Sequence, residues 1–257
     1  MSNMPIPTTD LVDKSIKIWN ETLYYNGPEQ VLEYLFIARE DDYEHTFNKC
    51  FFLNAVYGTR LSRKDLEIIS KFISNNDILN KYIADGDCKA VEQIAFESGT
   101  SKRNFSFATK YCSFSNSEQF PIYDNLVESI LWEYQKEGHL HKYKRTDLKE
   151  SLSKNNRYPL FKKKIDEFKS IFSLNCTYKE LDRFLWMLGK TIQIQQKYEN
   201  RFKVPIPENF LFQLGNTEYL ENIEEKLPND IEIVEEAIRN NIPCSEELLK
   251  QNRVFKN

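Results

Sequence analysis

Apolar residues recur along this chain with the three-to-four-residue period of amphipathic helices. Phe47, Phe51, Phe52, Ala55 and Val56 share one face of such a helix. Comparable stripes follow one another with only short polar links between them, and convincing alternation of apolar and polar residues is absent. The pattern predicts an all-α fold of about a dozen helices.

Helix-capping residues and prolines predict where individual helices begin and end. The expected helix starts are Thr8 or Thr9, Pro28, Ser62, Ser101, Asp124 and Thr177. The helix that follows Ser101 is expected to be amphipathic. Pro228 and Pro243 are expected to break the C-terminal acidic segment into two or three helices.

Length and composition narrow the class of protein. The 257 residues are 40% apolar and 14% aromatic, which is typical of a packed globular protein with one large domain or two lobes. No apolar run approaches the roughly 18 residues that a membrane span needs. The five cysteines are widely spaced and the N-terminal segment lacks a secretory pattern. We therefore expect a cytoplasmic protein without membrane contact.

Charge is distributed unevenly along the chain. The formal net charge is −4, yet residues 136–170 hold eleven Lys or Arg against five Asp or Glu. Residues 208–249 hold eleven acidic residues against two basic ones. A mildly acidic protein can therefore still present a basic face to a polyanion such as nucleic acid.

The sequence lacks the motifs that are typical of several kinds of binding and catalytic site. The seven glycines are all isolated, so no glycine-rich phosphate loop is present. The three histidines lack metal-ligand spacing, and no nucleophile elbow occurs. We expect no metal and no cofactor. What remains is carboxylate chemistry and anion binding.

Three segments carry a resemblance to a known family. They are Phe52–Thr59 (FLNAVYGT), Lys102–Gly138 with Asp124 at the start of its second helix, and Leu181–Lys190 (LDRFLWMLGK), in which Trp186 is followed by Gly189 and Lys190. In this order and spacing they resemble the helix-hairpin-helix DNA glycosylase superfamily. The resemblance covers about residues 45–195. The chain departs from the family in its reduced hairpin, which keeps a single glycine, Gly99.

The resemblance implies a two-lobed helical fold with a central cleft. Residues 45–120 would form the middle lobe, and residues 1–44 with 121–257 the second lobe. Asp124 would be the catalytic carboxylate. Ser106 lies eighteen residues before it, where bifunctional members carry a Schiff-base lysine, so the resemblance implies a monofunctional enzyme.

The remaining implied roles concern DNA binding. Tyr57 would occupy the position of the side chain that enters the DNA stack. The other expected contacts with DNA or the flipped base are Asn54, Lys102, Arg103, Ser106, Lys110, Tyr123, Trp186 and Lys190. The implied partner is double-stranded DNA with a damaged or modified base flipped out, bound by a monomer, in repair or in defence against modified foreign DNA.

The chemistry of base release agrees with a carboxylate at this position. Breaking the bond between base and sugar builds positive charge on the sugar, which an ionised carboxylate stabilises. The same group can take a proton from the attacking water. A base inside a duplex must first be flipped out of the stack. Asp124 fits the first two requirements.

Each residue also has a simpler interpretation. Asp124 could be only a helix cap, Tyr57 a core-edge residue, Lys110 a solvated lysine and Trp186 a helix-packing residue. Lys102 and Lys110 lie one turn to either side of Ser106, so a displaced lysine is a further alternative. For the whole chain the alternatives are a catalytically silent nucleic-acid-binding protein or a helical protein–protein adaptor.

Overall fold

The all-α prediction is confirmed by a computed structural model, which describes residues 4–37, 42–100, 103–143, 157–206 and 221–244. Eleven α-helices and no strand occur in these ranges. Their bounds are α1 Thr9–Glu21, α2 Leu23–Ile37, α3 Tyr43–Tyr57, α4 Arg63–Ser74, α5 Asp77–Asp85, α6 Lys89–Phe96, α7 Phe105–Ser115, α8 Asn125–Lys136, α9 Arg157–Ile171, α10 Tyr178–Phe202 and α11 Ile223–Asn240.

Ten of the eleven described helices, all except α9, pack in two sets that share α2. Helices α3 to α7 contact one another, whereas α1, α8, α10 and α11 form the second set. Helix α2 contacts α1 as well as α3 and α7. The buried apolar side chains of both sets belong to one continuous core. The predicted division into two lobes with a central cleft stays a prediction.

Helix α7 lies at the centre of the first set. It was expected to be amphipathic, and this prediction is wrong. Eight of its residues, Phe105 and the run from Phe107 to Ser113, are buried. Neighbours from α2, α3, α5 and α6 cover it on several sides, so even its polar side chains are enclosed. A helix covered in this way is a core helix.

Most of the predicted caps are present. The side chains of Thr8, Ser62 and Thr177 accept backbone N–H groups at the starts of α1, α4 and α10. Ser101 lies outside the described residues. Helix α7 begins later than expected, after Asn104, whose carbonyl accepts the Ala108 amide at 2.8 Å.

Two predicted proline boundaries are wrong. Pro28 was expected to open α2 and Pro228 to break the acidic segment, but each lies inside a helix as its sixth residue. The Thr22 carbonyl already accepts the Asn26 amide at 3.0 Å, so α2 is formed before its proline is reached. A proline so close to a helix start removes one hydrogen bond from an established turn rather than ending it.

A close approach of α8 to α10 fixes the position of Asp124. Gly189 of α10 packs on Leu126 in the first turn of α8, and a Cβ atom on Gly189 would lie 3.0 Å from the Leu126 Cβ. Any larger residue would push the start of α8 outward, so the absence of a side chain at this position holds the two helices together.

Within the described ranges, no helix carries a sufficiently long apolar stretch to cross a bilayer. The five cysteines are free thiols. No group of three His, Cys, Asp or Glu side chains in those same ranges is arranged to hold a metal ion.

Candidate functional site

Asp124 is the N-cap of α8, as its sequence position predicts. Its Oδ1 accepts the Leu126 amide at 2.8 Å. The Asp124 side chain is 29% exposed. A capping aspartate normally needs nothing more than this hydrogen bond. The second carboxylate oxygen, however, faces a buried cation.

Lys110 of α7 supplies that cation. Its side chain is only 3% exposed, and Nζ lies 3.7 Å from the Asp124 Oδ2. Nζ also donates to the Ser106 Oγ at 2.8 Å and to the Tyr123 carbonyl at 3.2 Å. The Tyr57 ring lies on another side, with its centroid 5.2 Å from Nζ. The interpretation of Lys110 as a solvated lysine is therefore wrong, because α7 has no solvent-facing side at this turn.

Burial disfavours the charged form of the Lys110 amine. Burial lowers the pKa of Lys110 below its ordinary value, while the Asp124 and Asp182 carboxylates oppose that shift. Buried ammonium groups persist only with close oxygen partners. The Ser106, Tyr123 and Asp124 contacts are those partners, and they fix the direction in which the Lys110 amine points.

Ser106 and Lys110 lie one helical turn apart on α7, and the Lys110 amine donates to the Ser106 oxygen. The Ser106 hydroxyl itself lies 3.4 Å from the Tyr123 carbonyl.

Asp182 of α10 is the third ionisable group of this cluster. Its Oδ1 is out of solvent contact and has no hydrogen-bond partner within the described part of the chain. Burial raises the pKa of Asp182 to about 8, with Lys110 opposing the shift and Asp124 adding to it. Two carboxyl groups therefore share the charge of one buried lysine.

A second set of charges adjoins the first through Tyr57. The Tyr57 hydroxyl donates to the Glu29 Oε1 at 2.6 Å, and Glu29 is only 3% exposed. Arg183 donates to the other Glu29 oxygen from Nη2 at 2.7 Å and from Nε at 3.2 Å. Burial, and then the Glu29 carboxylate, raise the pKa of Tyr57 well above its ordinary value. Tyr57 points inward here, as a core-edge residue would, and its role as a wedge stays a prediction.

Tyr123 connects the cluster to a further buried carboxylate. Its hydroxyl donates to the Glu128 Oε2 at 3.0 Å, and its amide donates to the Thr109 Oγ1 at 3.1 Å. The Arg157 guanidinium lies over its ring, 5.1 Å from the centroid. Tyr123 is 4% exposed, so it supports the residue that follows it, Asp124, from inside the core.

The other predicted residues lie elsewhere in the described structure. The Asn54 Oδ1 accepts the Leu61 amide at 2.9 Å, which closes the turn between α3 and α4. Trp186 packs edge-on against Trp19, with centroids 5.3 Å apart. Lys190 pairs with Glu235 of α11 at 2.9 Å. Lys102 lies outside the described residues.

Arg103 of the reduced hairpin turn lies among the described residues. It is exposed, and its guanidinium lies 5.7 Å from the centroid of the Phe96 ring. The site roles predicted for Arg103, Asn54, Trp186 and Lys190 stay predictions.

A groove of about 610 Å³ lies between α8 and α10, and Asp124 is not among its lining residues, although the next residue, Asn125, is. This volume is in the usual range for small-molecule sites. Its lining is mixed polar and apolar and includes Asn125, Leu126, Ser129, Trp132, Gln193 and Gln196.

Sequence reasoning missed Glu29, Asp182, Arg183 and Lys179 as members of the charged cluster. Lys179 approaches Glu29 at 3.9 Å and Glu33 at 2.6 Å. The three residues from α10 have the three-to-four-residue spacing of one helix face, which was a usable signal. Glu29 gave none, since it lies 154 residues before its partner Arg183.

Two comparisons with known proteins give partial matches. Residues 11–119 match the family model HI_0787_N, described as an N-terminal domain. A protein of Haemophilus influenzae, described as "Uncharacterized protein", is 37% identical over 141 residues. The matched part is 54% of this chain and 63% of that relative. The chain thus spans less than two thirds of the length of the curated relative that it matches. No solved structure matches the chain.

The segment that matches the family model, residues 11–119, ends before Asp124. It includes most of α1 and all of α2 to α7, and therefore Glu29, Tyr57, Ser106 and Lys110 of the charged cluster. Asp124 and the α10 residues lie beyond it. Neither description states an activity, so any function rests on the site itself.

Proposed function

We propose that the chain is a monofunctional DNA N-glycosylase, which hydrolyses the bond between deoxyribose and a damaged or modified base. Asp124 is the catalytic carboxylate in this proposal. The observation that carries it is the contact between the partly exposed Asp124 carboxylate and the buried Lys110 amine, with Nζ and Oδ2 3.7 Å apart.

The contact supports the proposal because it orients the carboxylate. Oδ1 is held by the α8 amide at Leu126 and Oδ2 is held toward Lys110, so the group has little rotational freedom. A fixed anion is suited to stabilise positive charge that develops on a sugar ring. The residue that follows it, Asn125, lines the groove between α8 and α10, which would hold part of the substrate in this proposal.

Hydrolysis would then follow the chemistry of a single carboxylate. The bond between C1′ and the base nitrogen breaks, and the pair of electrons leaves with the base. Asp124 stabilises the sugar cation and accepts a proton from the water whose oxygen bonds to C1′. The departing base takes up a proton from solvent, and Asp124 returns the proton from the attacking water to solvent. The products are the free base and an abasic sugar in an intact strand.

Lys110 in this proposal is a positioning residue rather than a nucleophile. Its amine is engaged by the Ser106, Tyr123 and Asp124 oxygens, and it lies against the Tyr57 ring. A nucleophilic amine would have to leave these partners. We therefore expect no strand cleavage by the enzyme alone.

The test uses duplex oligonucleotides that carry a panel of modified bases. Treatment with the protein followed by alkali is expected to cleave the strand at one or more of these bases, and omission of the alkali is expected to leave it intact. Borohydride treatment is expected to trap no covalent adduct. An adduct that disappears in Lys110→Met would overturn the monofunctional part, and no cleavage with any base would overturn the proposal as a whole.

A helical protein–protein adaptor is the second candidate, favoured by a different surface. Large apolar side chains are exposed on α2 and α3: Leu23, Val31, Tyr34, Ile37, Phe51 and Phe52. Contiguous exposed apolar residues often mark protein contacts. An adaptor would bind DNA weakly and with little salt dependence, whereas a glycosylase is expected to lose DNA affinity steeply as salt rises.

A further inference from the structure

Helix α2 is apolar on its outer face as well as on its inner face. On the inner face Leu32 is fully buried and Glu29 is 3% exposed, so the helix is already anchored in the core. The three most exposed large apolar side chains of the described residues are nevertheless all on α2: Leu23 at 81%, Tyr34 at 77% and Ile37 at 77%. A helix that is apolar on both sides is normally buried on both sides.

The exposed side chains of α2 lie along one line of the helix. Leu23, Gly27, Gln30, Tyr34 and Ile37 follow one another at intervals of four, three, four and three residues. This is the spacing of the contact positions in helices that pack along one another. The five residues form a row roughly 20 Å long, which we call the outer line of α2. Its spacing indicates that another helix packs against it.

The outer line carries no charge. Only two of the fifteen residues of α2 are charged, Glu29 and Glu33. Side chains of neighbouring helices engage both of them: Arg183 and Tyr57 bind Glu29, and Lys179 lies 2.6 Å from Glu33. A helix face that stays in water usually presents charged residues, and this one presents none.

Gly27 is a second sign of close packing from outside. Glycine is unfavourable within a helix, so its presence there needs a reason. Among the described residues, a Cβ atom on Gly27 would meet only the Leu23 side chain of the same helix, at 3.4 Å for Cδ1. Packing within the chain therefore does not require a glycine, whereas the close approach of a partner would.

The outer line is symmetrical about its middle residue. Gln30 lies seven residues after Leu23 and seven residues before Ile37. A second α2, antiparallel to the first and related by a two-fold axis at Gln30, brings Leu23 of each copy to the level of Ile37 of the other. The Tyr34 ring then lies near Gly27 of the other copy, where no side chain is in the way. The two Gln30 amides meet at the axis, and each can both donate and accept a hydrogen bond.

The neutrality of the outer line favours a second copy over a charged partner. A nucleic acid, an anionic lipid surface or a charged peptide would find no opposite charge along this line. Two copies of a neutral line meet without repulsion. One helix face is a small contact surface, so the dimer is expected to be weak, with a Kd on the order of 10 μM.

We infer that the outer line of α2 is the interface of a homodimer, in which two copies pack antiparallel about Gln30. This differs from the monomer that the resemblance implies. The pairing goes beyond the proposed base release and does not depend on it.

Sedimentation equilibrium of the full chain, with a charge exchange at Gln30, tests the dimer and its symmetry. The wild type is expected to change from monomer to dimer between about 1 and 300 μM. Gln30→Glu and Gln30→Lys each place two like charges at the axis and should weaken the dimer at least about tenfold. An equimolar mixture of the two variants brings opposite charges together there and should associate as strongly as the wild type. Ile78→Glu, at an exposed apolar position of α5, is the matched control and should leave association unchanged.

Circular dichroism and urea unfolding of the dilute variants check that each is folded, which is expected because Gln30 is exposed. A wild type that stays monomeric at about 300 μM would overturn the inference. Association that neither Gln30 variant weakens would place the interface elsewhere and overturn it as well. If both variants are weakened and their mixture stays weak, the antiparallel arrangement about Gln30 is wrong. Base release, whether observed or absent, changes none of these outcomes.

Discussion

Among the described residues, two aspartates are the N-caps of helices, and their surroundings differ. Asp42 caps α3, with Oδ1 accepting the His45 amide at 2.9 Å and Oδ2 lying 2.7 Å from the His45 Nδ1. Asp124 caps α8 with a similar hydrogen bond, to Leu126 at 2.8 Å. The Asp42 side chain is 57% exposed and Asp124 is 29% exposed.

The difference lies in the partner of the second oxygen. Asp42 faces an exposed histidine of its own helix, whereas Asp124 faces Lys110, a buried residue of another helix. A cap requires only the first kind of arrangement. A buried ammonium group beside a cap costs desolvation free energy, so its presence indicates a purpose beyond starting a helix.

The largest expected effect on stability comes from removing the buried amine. Lys110→Met should lower the free energy of unfolding by about 3 kcal/mol, the lower end for a broken buried pair because Asp124 keeps some exposure. Lys64→Met, on the exposed side of α4, is the matched control and should change it by less than about 0.5 kcal/mol. Urea unfolding measures both. Equal effects would show that Lys110 is not held as described.

The second largest expected effect on stability is the difference between removing the Asp42 side chain and removing the Asp124 side chain. Asp42→Ala is expected to cost about 1 kcal/mol, the usual value for a lost cap. Asp124→Ala should cost about 2 kcal/mol, since it also leaves Lys110 without its carboxylate. If thermal or urea unfolding gives the same loss for both, the contact with Lys110 contributes nothing to stability.

The pH dependence of stability should have opposite signs at Asp182 and Asp42. The Asp182 pKa is raised from 3.8 to about 8, so its stabilising contribution is complete below 3.8 and is lost as pH rises toward 8. Asp182→Asn should therefore gain stability relative to wild type over this range, by at least about 1.4 kcal/mol, the equivalent of one pKa unit.

Asp42→Asn is the comparison for that measurement. The His45 amide lowers the pKa of Asp42, so its contribution is present above 3.8 and is lost as pH falls. The Asp42→Asn variant should become less stable relative to wild type as the pH rises from acidic values. Melting temperatures across the pH range check both signs, and parallel curves for the two variants would contradict the buried state of Asp182.

The smallest expected effect on stability is that of Asp124→Asn. The asparagine oxygen can still accept the Leu126 amide, and asparagine caps helices about as well as aspartate. We expect a change below about 1 kcal/mol, within the range of a weakened ion pair at a partly exposed site. A much larger loss would mean that the carboxylate serves mainly to hold the fold.

Much of this fold follows from local sequence signals. The helix period and the caps Thr8, Ser62 and Thr177 depend on neighbouring residues only, and these predictions are confirmed. The proline boundaries are wrong because a helix that starts earlier tolerates Pro28 and Pro228 in its second turn. Local sequence rules do not show at which of several possible start residues a helix begins.

The charged cluster depends on contacts between distant parts of the chain. Asp124 and Lys110 were both singled out, but the burial of Lys110 results from α2, α3 and α6 covering α7. The exposed-lysine interpretation failed for that reason. Glu29 and Arg183 are joined by a hydrogen bond only because the fold brings α2 and α10 together. No periodic pattern in the sequence predicts a contact between residues so far apart along the chain.

The central claim is that Asp124 is a catalytic carboxylate and Asp42 an ordinary cap. The most direct measurement compares Asp124→Asn with Asp42→Asn in single-turnover base release from whichever modified-base duplex the wild type cleaves. Asp124→Asn is expected to slow release at least about a hundredfold while DNA affinity is unchanged, and Asp42→Asn to match the wild type. Base release by Asp124→Asn at the wild-type rate would contradict the account.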